Sequence, residues 1–488
     1  MFQLSDLLKH KLNTILFLYT CIWAIPIAFQ VLGYSRETLV PIVMLCGLAG
    51  ILCSIYLPES TLLSIPFLAL LAPIAGDITL IGQTRIWTDY LVPVYFCIAV
   101  YFQIAKRKNK SAFTKREFIF LLCLIFLYLI SFSTAHINHR LPLTEPLYYL
   151  ACFLLIFWLF KTTATSLLVC KKILLAFQIA VCLGCLLVIY AYLAGQQLLL
   201  VRSDENYASI AAEQFFRPET HRRATYYYAG FHFVLGMLIS GNLLRLQHGL
   251  DGKTTKALLW LQCGLLLTTA LFLNNKTVLY AVLLSWLISL WFTKPKLSSL
   301  VFTIVLVFFV VGIFLSFENI TRTISYSILS PLDAVTETSS LNIRTEVWQN
   351  ALNTFFDSPQ IWCFGYGPSV LEIGDPQISN MILVSQKSGG KENALDSTWL
   401  TWLLELGVFS FLFLVTGLIY LLKTLRKAGK TLLKTSPYSN FYYTICGGLL
   451  YCVFAFVTQS IGYAKISWFF ILFFLTGILL NKNLQRRV

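Results

Sequence analysis

Apolar residues gather along the chain into runs near the length a helix needs to cross hydrocarbon, about 20 residues, with short polar stretches between them. About fourteen such runs can be marked, near 13–33, 38–57, 60–76, 88–105, 117–134, 146–160, 173–194, 224–244, 257–273, 277–293, 298–316, 397–422, 440–459 and 464–480. The linker from Gly76 to Tyr90 between the third and fourth is itself fairly apolar, so the count is twelve or fourteen. The first run follows Met1 to Lys11 with no small-residue cleavage pattern, which predicts a retained helix. The pattern predicts an all-α fold, a polytopic transmembrane helical bundle with one large extracytoplasmic loop containing short amphipathic helices. Residues 1–196 would hold the N-terminal transmembrane helices and 197–316 the central ones with a basic outer loop. Residues 317–396 would form the large loop, and 397–488 the C-terminal transmembrane helices.

Composition agrees. With 57% hydrophobic and 12% charged residues over 488 positions, the chain cannot be wrapped around one soluble core and needs lipid as part of its solvent. The net charge of +15 is a topology signal, because 24 of the 37 Lys and Arg fall in alternate gaps between runs. These include Lys9 and Lys11, the cluster from Lys106 to Arg116, Lys171 and Lys172, Arg245, Lys253 and Lys256, and Lys482 to Arg487. Basic residues accumulate on the cytoplasmic side, so both termini are expected there. No basic stripe with interleaved aromatics suggests nucleic acid. Twelve of the thirteen Cys lie in or beside the runs, which leaves no disulfide framework, and His136 with His139 lacks the further ligands a metal site needs.

The basic residues that oppose the sorting rule need another reason to be present. Arg202, Arg217, Arg222 and Arg223 fall in one outer linker before the eighth run, Lys276 sits in a short connection, and Arg344 lies in the large loop. Guanidinium forks bind phosphate oxygens in pairs, so an outer face lined this way suits an anionic ligand, in this setting a lipid phosphate or diphosphate. In the loop, Asn342 can cap a helix running to Phe356, with Ile343, Val347, Ala351 and Phe355 at helical spacing and a stop at Asp357-Ser358-Pro359. That helix would lie on the membrane surface or roof a cavity. Arg344 in its first turn opposes the helix dipole, which a bound anion would relieve. A turn follows at Gly365-Tyr366-Gly367-Pro368, then a polar segment carrying Glu392 and Asp396, which meets the next span at the outer boundary.

This order of features resembles the O-antigen ligase and O-antigen polymerase superfamily of bacterial lipid-linked glycan transferases. The residues carrying the resemblance are Arg344, Trp348, Pro359, Gly365 and Gly367, then Asp396-Ser397 and Trp399-Leu400-Thr401-Trp402-Leu403-Leu404-Glu405-Leu406-Gly407. Arg222-Arg223 through Gly230-Phe231 is similar to an earlier family element, and Asn275-Lys276 stands where a Ser-Arg pair is usual. The likeness runs from about Arg202 to Gly407. The ligase branch usually carries His where this chain has Asp396, which favours a polymerase.

The resemblance implies a metal-independent enzyme with no cofactor, in the bacterial cytoplasmic (inner) membrane. It would move a glycan from a polyprenyl-diphosphate-linked oligosaccharide donor to a glycan acceptor, or in a ligase to lipid A core or a protein. Membrane lipids and other members of a polysaccharide assembly system would be its partners. Arg222, Arg223, Lys276 and Arg344, with Arg217 and Arg202 behind them, would hold the diphosphate. Asp396, with Glu392 behind it, would orient or deprotonate the acceptor hydroxyl.

Blander roles remain open for each residue. Arg222 and Arg223 suit interfacial anchors, Asp396 suits an N-cap, and Glu405, two turns into its span, suits a structural role facing the protein interior. A lipid-linked glycan transporter or flippase would share the span count, but no repeat relates the two halves. A non-catalytic assembly subunit is the third class.

Overall fold

The computed structural model describes residues 2–34, 36–57, 60–71, 125–133, 167–194, 216–217, 221–222, 231–249, 251–272, 340–356, 359–367, 397–432 and 439–458, with a few isolated positions between. The runs near 88–105, 298–316 and 464–480, and most of those near 146–160 and 277–293, lie outside these residues. The described helices are α1 (Phe2–Val31), α2 (Arg36–Tyr56), α3 (Thr61–Leu71), α4 (Leu167–Ala194), α5 (Phe231–His248) and α6 (Lys253–Phe272), followed by α7 (Ser340–Phe356), α8 (Pro359–Phe364), α9 (Thr398–Leu432) and α10 (Ser439–Thr458). The fold is that of an all-α membrane protein. A single two-residue ladder, β1 (Phe216–Arg217) with β2 (His221–Arg222), interrupts the helical pattern among the described residues.

Among the described residues, four stretches are long and apolar enough to cross a membrane: Leu8–Val31, Thr38–Tyr56, Leu168–Tyr190 and Thr398–Lys423. Each falls on a run marked in the sequence. These helices are apolar on every side, burying one face against neighbours and leaving the other for lipid. Tyr19, Leu39 and Phe177 are buried, whereas Phe17, Leu45 and Leu52 are exposed.

The turn after α1 shows how local chemistry ends a span. Gly33 takes a left-handed φ of 78°. Its N–H reaches the Gln30 carbonyl at 3.1 Å while Tyr34 N–H reaches Phe29 O at 3.1 Å. This is the Schellman arrangement, and the accompanying apolar contact is the Phe29–Tyr34 ring pair at 4.7 Å.

The core is built around α5 and α10, which approach so closely that a Cβ on Gly447 would stand 2.4 Å from the Ser240 carbonyl oxygen. Small residues allow such approach, and packing then replaces the hydrophobic effect as the force between helices in lipid. A buried polar ring ties three helices together. Gln178 of α4 donates to Asn242 of α5 at 3.2 Å, Asn242 donates to Gln262 of α6 at 3.0 Å, and Gln262 returns to Cys182 of α4 at 3.4 Å. At the end of α5, Arg245 grips Asp251 through two bonds of 2.7 and 2.8 Å, and Asn440 at the start of α10 donates to the same carboxylate at 2.7 Å.

Candidate functional site

The loop helix carrying Arg344 does not float. In α7, Val347, Ala351 and Phe355 form a buried cluster with Tyr366 and with Leu400 and Leu404 of α9. The 3.6-residue spacing read from the sequence thus marks the right face, but that face covers protein rather than the membrane surface. The helix also starts at Ser340, two residues before the expected cap. Asn342 therefore lies inside it, and Arg344 sits beyond the first turn, which weakens the dipole argument made for that residue. Pro359, expected only as a stop, opens the short helix α8, as suits a residue with fixed φ and no N–H to satisfy.

The junction between loop and span is made by backbone. Within α9 the helix breaks at Gly407, which has φ 74° and ψ 172°. A helix end leaves its last carbonyls without intrahelical donors. Here the Gly365-Tyr366-Gly367 turn supplies them, with Tyr366 N–H donating to Leu404 O at 2.7 Å and Gly367 N–H to Glu405 O at 3.0 Å. Ser131, from the helical segment 125–133, adds its hydroxyl to the Glu405 carbonyl at 2.6 Å. The approach is too close for any side chain: a Cβ at Gly365 would lie 2.2 Å from Glu405 O, and one at Gly407 would lie 2.4 Å from Cys363 O. Non-helical backbone at membrane depth is tolerated where protein surrounds it, and this break meets that condition.

Glu405 itself is fully buried, as its position two turns into the span suggested. The Tyr128 phenol lies within electrostatic reach of its carboxylate. Ser397 caps α9: its Oγ accepts Leu400 N–H at 3.3 Å and its carbonyl takes the first intrahelical bond from Thr401 N–H at 2.9 Å. The cap position offered to Asp396 therefore belongs to the next residue.

Arg344 lies on α7, and the ladder β1–β2 carries Arg217 opposite His221 and Arg222 opposite Phe216, so these two arginines are not cross-strand partners. Arg202, Arg223, Lys276, Glu392 and Asp396 lie outside the described residues. Among the described residues, no group of three or more His, Cys, Asp and Glu gathers as a metal ion would require. Sequence reasoning missed Ser131 and the docking of the Gly365–Gly367 turn on the break at Gly407. A small polar residue in an apolar run was the available signal for Ser131, since such residues bond across helices in lipid.

No curated protein matches the chain. Residues 262–415, which include α7, α8, the glycine turn and the broken start of α9, match a family model described as O-antigen ligase. That match falls on the segment built around this junction, which is therefore similar to an O-antigen ligase domain.

Proposed function

We propose that the protein is a metal-independent glycan transferase at the outer face of the bacterial cytoplasmic membrane, with both termini cytoplasmic, polymerising polysaccharide repeat units. The observation that carries this reading is the docking of the Arg344-bearing helix onto the segment of α9 that follows directly on Asp396. A second observation supports it. The indole N–H of Trp348, one helical turn after Arg344, is buried with no acceptor among the described residues. A buried donor left unpaired costs about 1–3 kcal/mol, and a phosphate or sugar oxygen would relieve it.

In the proposed step, the acceptor hydroxyl oxygen attacks the anomeric carbon of the donor glycan. The bond from that carbon to the diphosphate breaks, and the polyprenyl diphosphate departs with the electron pair. Arg344, Arg222, Arg223 and Lys276, with Arg217 and Arg202, neutralise the leaving charge. Asp396, assisted by Glu392, receives the acceptor proton. A carboxylate where the ligase branch carries imidazole favours a second lipid-linked repeat as acceptor over lipid A core or a protein hydroxyl.

Purified protein incubated with a polyprenyl-diphosphate-linked oligosaccharide is expected to give a ladder of longer glycans and free polyprenyl diphosphate. Arg344→Ala is expected to abolish the ladder while the protein remains monodisperse. Translocation of the substrate across vesicles with no new glycosidic bond would overturn the reading, and transfer to lipid A core alone would replace polymerase with ligase.

A further inference from the structure

Helices α1 and α4 run side by side in a constant register. Lys172 Nζ donates to Asn13 Oδ1, and Tyr190 Oη donates to the Val31 carbonyl at 2.9 Å, with the same sequence offset at both ends. The 18 residue steps from one contact to the other on either helix span about 27 Å at 1.5 Å per residue, close to the hydrocarbon thickness of a bilayer. The seam thus has a foot at Asn13 and Lys172 and a top at Val31 and Tyr190.

The foot is strongly basic. Lys9 and Lys171 stand near enough to Lys172 for their charges to repel it, and Lys11 lies 5.2 Å from the centroid of the Tyr56 ring at the end of α2. None of these four ammonium groups is ion-paired with a carboxylate among the described residues. The sequence separates Lys9 and Lys11 from Lys171 and Lys172 by about 160 positions, so the fold itself collects them. Gathering like charges is unfavourable unless an anion offsets the repulsion.

Above the foot the exposed face turns apolar at helical spacing. On α1 Asn13 is followed by Phe17 and Cys21, both exposed, and on α4 Lys172 is followed by Leu175 and Ile179, both partly exposed. A charged foot below a hydrocarbon-length apolar track has the shape of one lipid molecule.

We infer that the α1–α4 seam binds an anionic glycerophospholipid, its phosphate held by Lys9, Lys171 and Lys172 and an acyl chain lying along Phe17 and Ile179. Basic pockets between membrane helices suit such headgroups on charge alone. The site is separate from the loop junction and does not rest on the transferase reading.

Native mass spectrometry and thermal unfolding of the full chain in detergent, with phosphatidylglycerol, phosphatidylcholine or inorganic phosphate added, test this. Phosphatidylglycerol is expected to stay bound and raise Tm, while phosphatidylcholine and phosphate do neither. The triple variant Lys9→Gln, Lys171→Gln, Lys172→Gln should bind phosphatidylglycerol at least about tenfold more weakly, and the triple Lys→Arg variant should retain it. Lys171→Gln alone, at an exposed position, gives a partial loss and decides the matter if the triple variant misfolds. Equal retention of the two lipids, an unchanged preference in the Gln variants, or the same stabilisation by phosphate alone would overturn the site.

Discussion

The Gly367 N–H donates to the Glu405 carbonyl at 3.0 Å, across a junction where the turn after α8 completes the hydrogen bonding of a broken apolar helix. Loop and span are therefore one structural unit. The position of Arg344 is set by the membrane helix that its own helix packs against.

Gly407→Ala should disrupt this unit. The positive-φ extended conformation, φ 74° and ψ 172°, is essentially restricted to glycine and costs another residue about 1–3 kcal/mol, and the added Cβ must also push back the Cys363 carbonyl. A lower Tm in detergent and faster proteolysis around residues 340–367 are expected. Gly264→Ala on α6, where a Cβ meets open space, should raise stability by about 0.5–1 kcal/mol; equal behaviour of the two variants would contradict the junction.

Phe355→Ala removes a fully buried ring from the cluster joining α7 to α9. Truncations of this kind cost about 3–5 kcal/mol. The loss should appear as hydrogen-exchange deprotection of α7 and α8 with α5 and α10 unaffected, and, under the proposed function, as lost glycan transfer even though Arg344 is intact.

Much of this was legible beforehand. The apolar runs located the helices because a segment in lipid must satisfy its own backbone, so length and hydropathy suffice. The Val347, Ala351 and Phe355 stripe gave the buried face of α7, but periodicity says which side is apolar and not what covers it. The break at Gly407 was unreadable for a different reason: a lone glycine in an apolar run has many meanings, and its partner turn at Gly365–Gly367 is supplied by a loop that precedes the span. The same holds for the ring of Gln178, Asn242 and Gln262, whose members sit in three separate runs.

Asn242→Leu tests that ring. It removes one bond to Gln178 and one to Gln262 and leaves both amides short of a partner. Bonds between membrane helices are worth about 0.6–2 kcal/mol each, so a drop of about 1–4 kcal/mol is expected in detergent unfolding. Unchanged stability would mean that the two glutamines find other partners.

His248, just past the eighth apolar run, packs its ring 5.4 Å from that of Tyr443. Burial pushes its imidazole below the usual range. The unfolded chain then takes up the proton first. Its stabilising effect is complete above the ordinary imidazole value of about 6.5 and is lost progressively as pH falls from there toward the folded value. The acid-side slope of Tm should be shallower in His248→Phe than in the wild type; identical slopes would remove this group from the pH response.

The order of the junction along the chain bears on biogenesis. The ribosome makes Tyr366 and Gly367 before Leu404 and Glu405, so the donors precede their acceptors along the growing chain. A segment of α9 that would otherwise present bare carbonyls to hydrocarbon arrives to find them already matched. Settling of α9 is thereby coupled to the turn that precedes it, and a chain in which that turn failed to form would leave the Leu404 and Glu405 carbonyls without these donors.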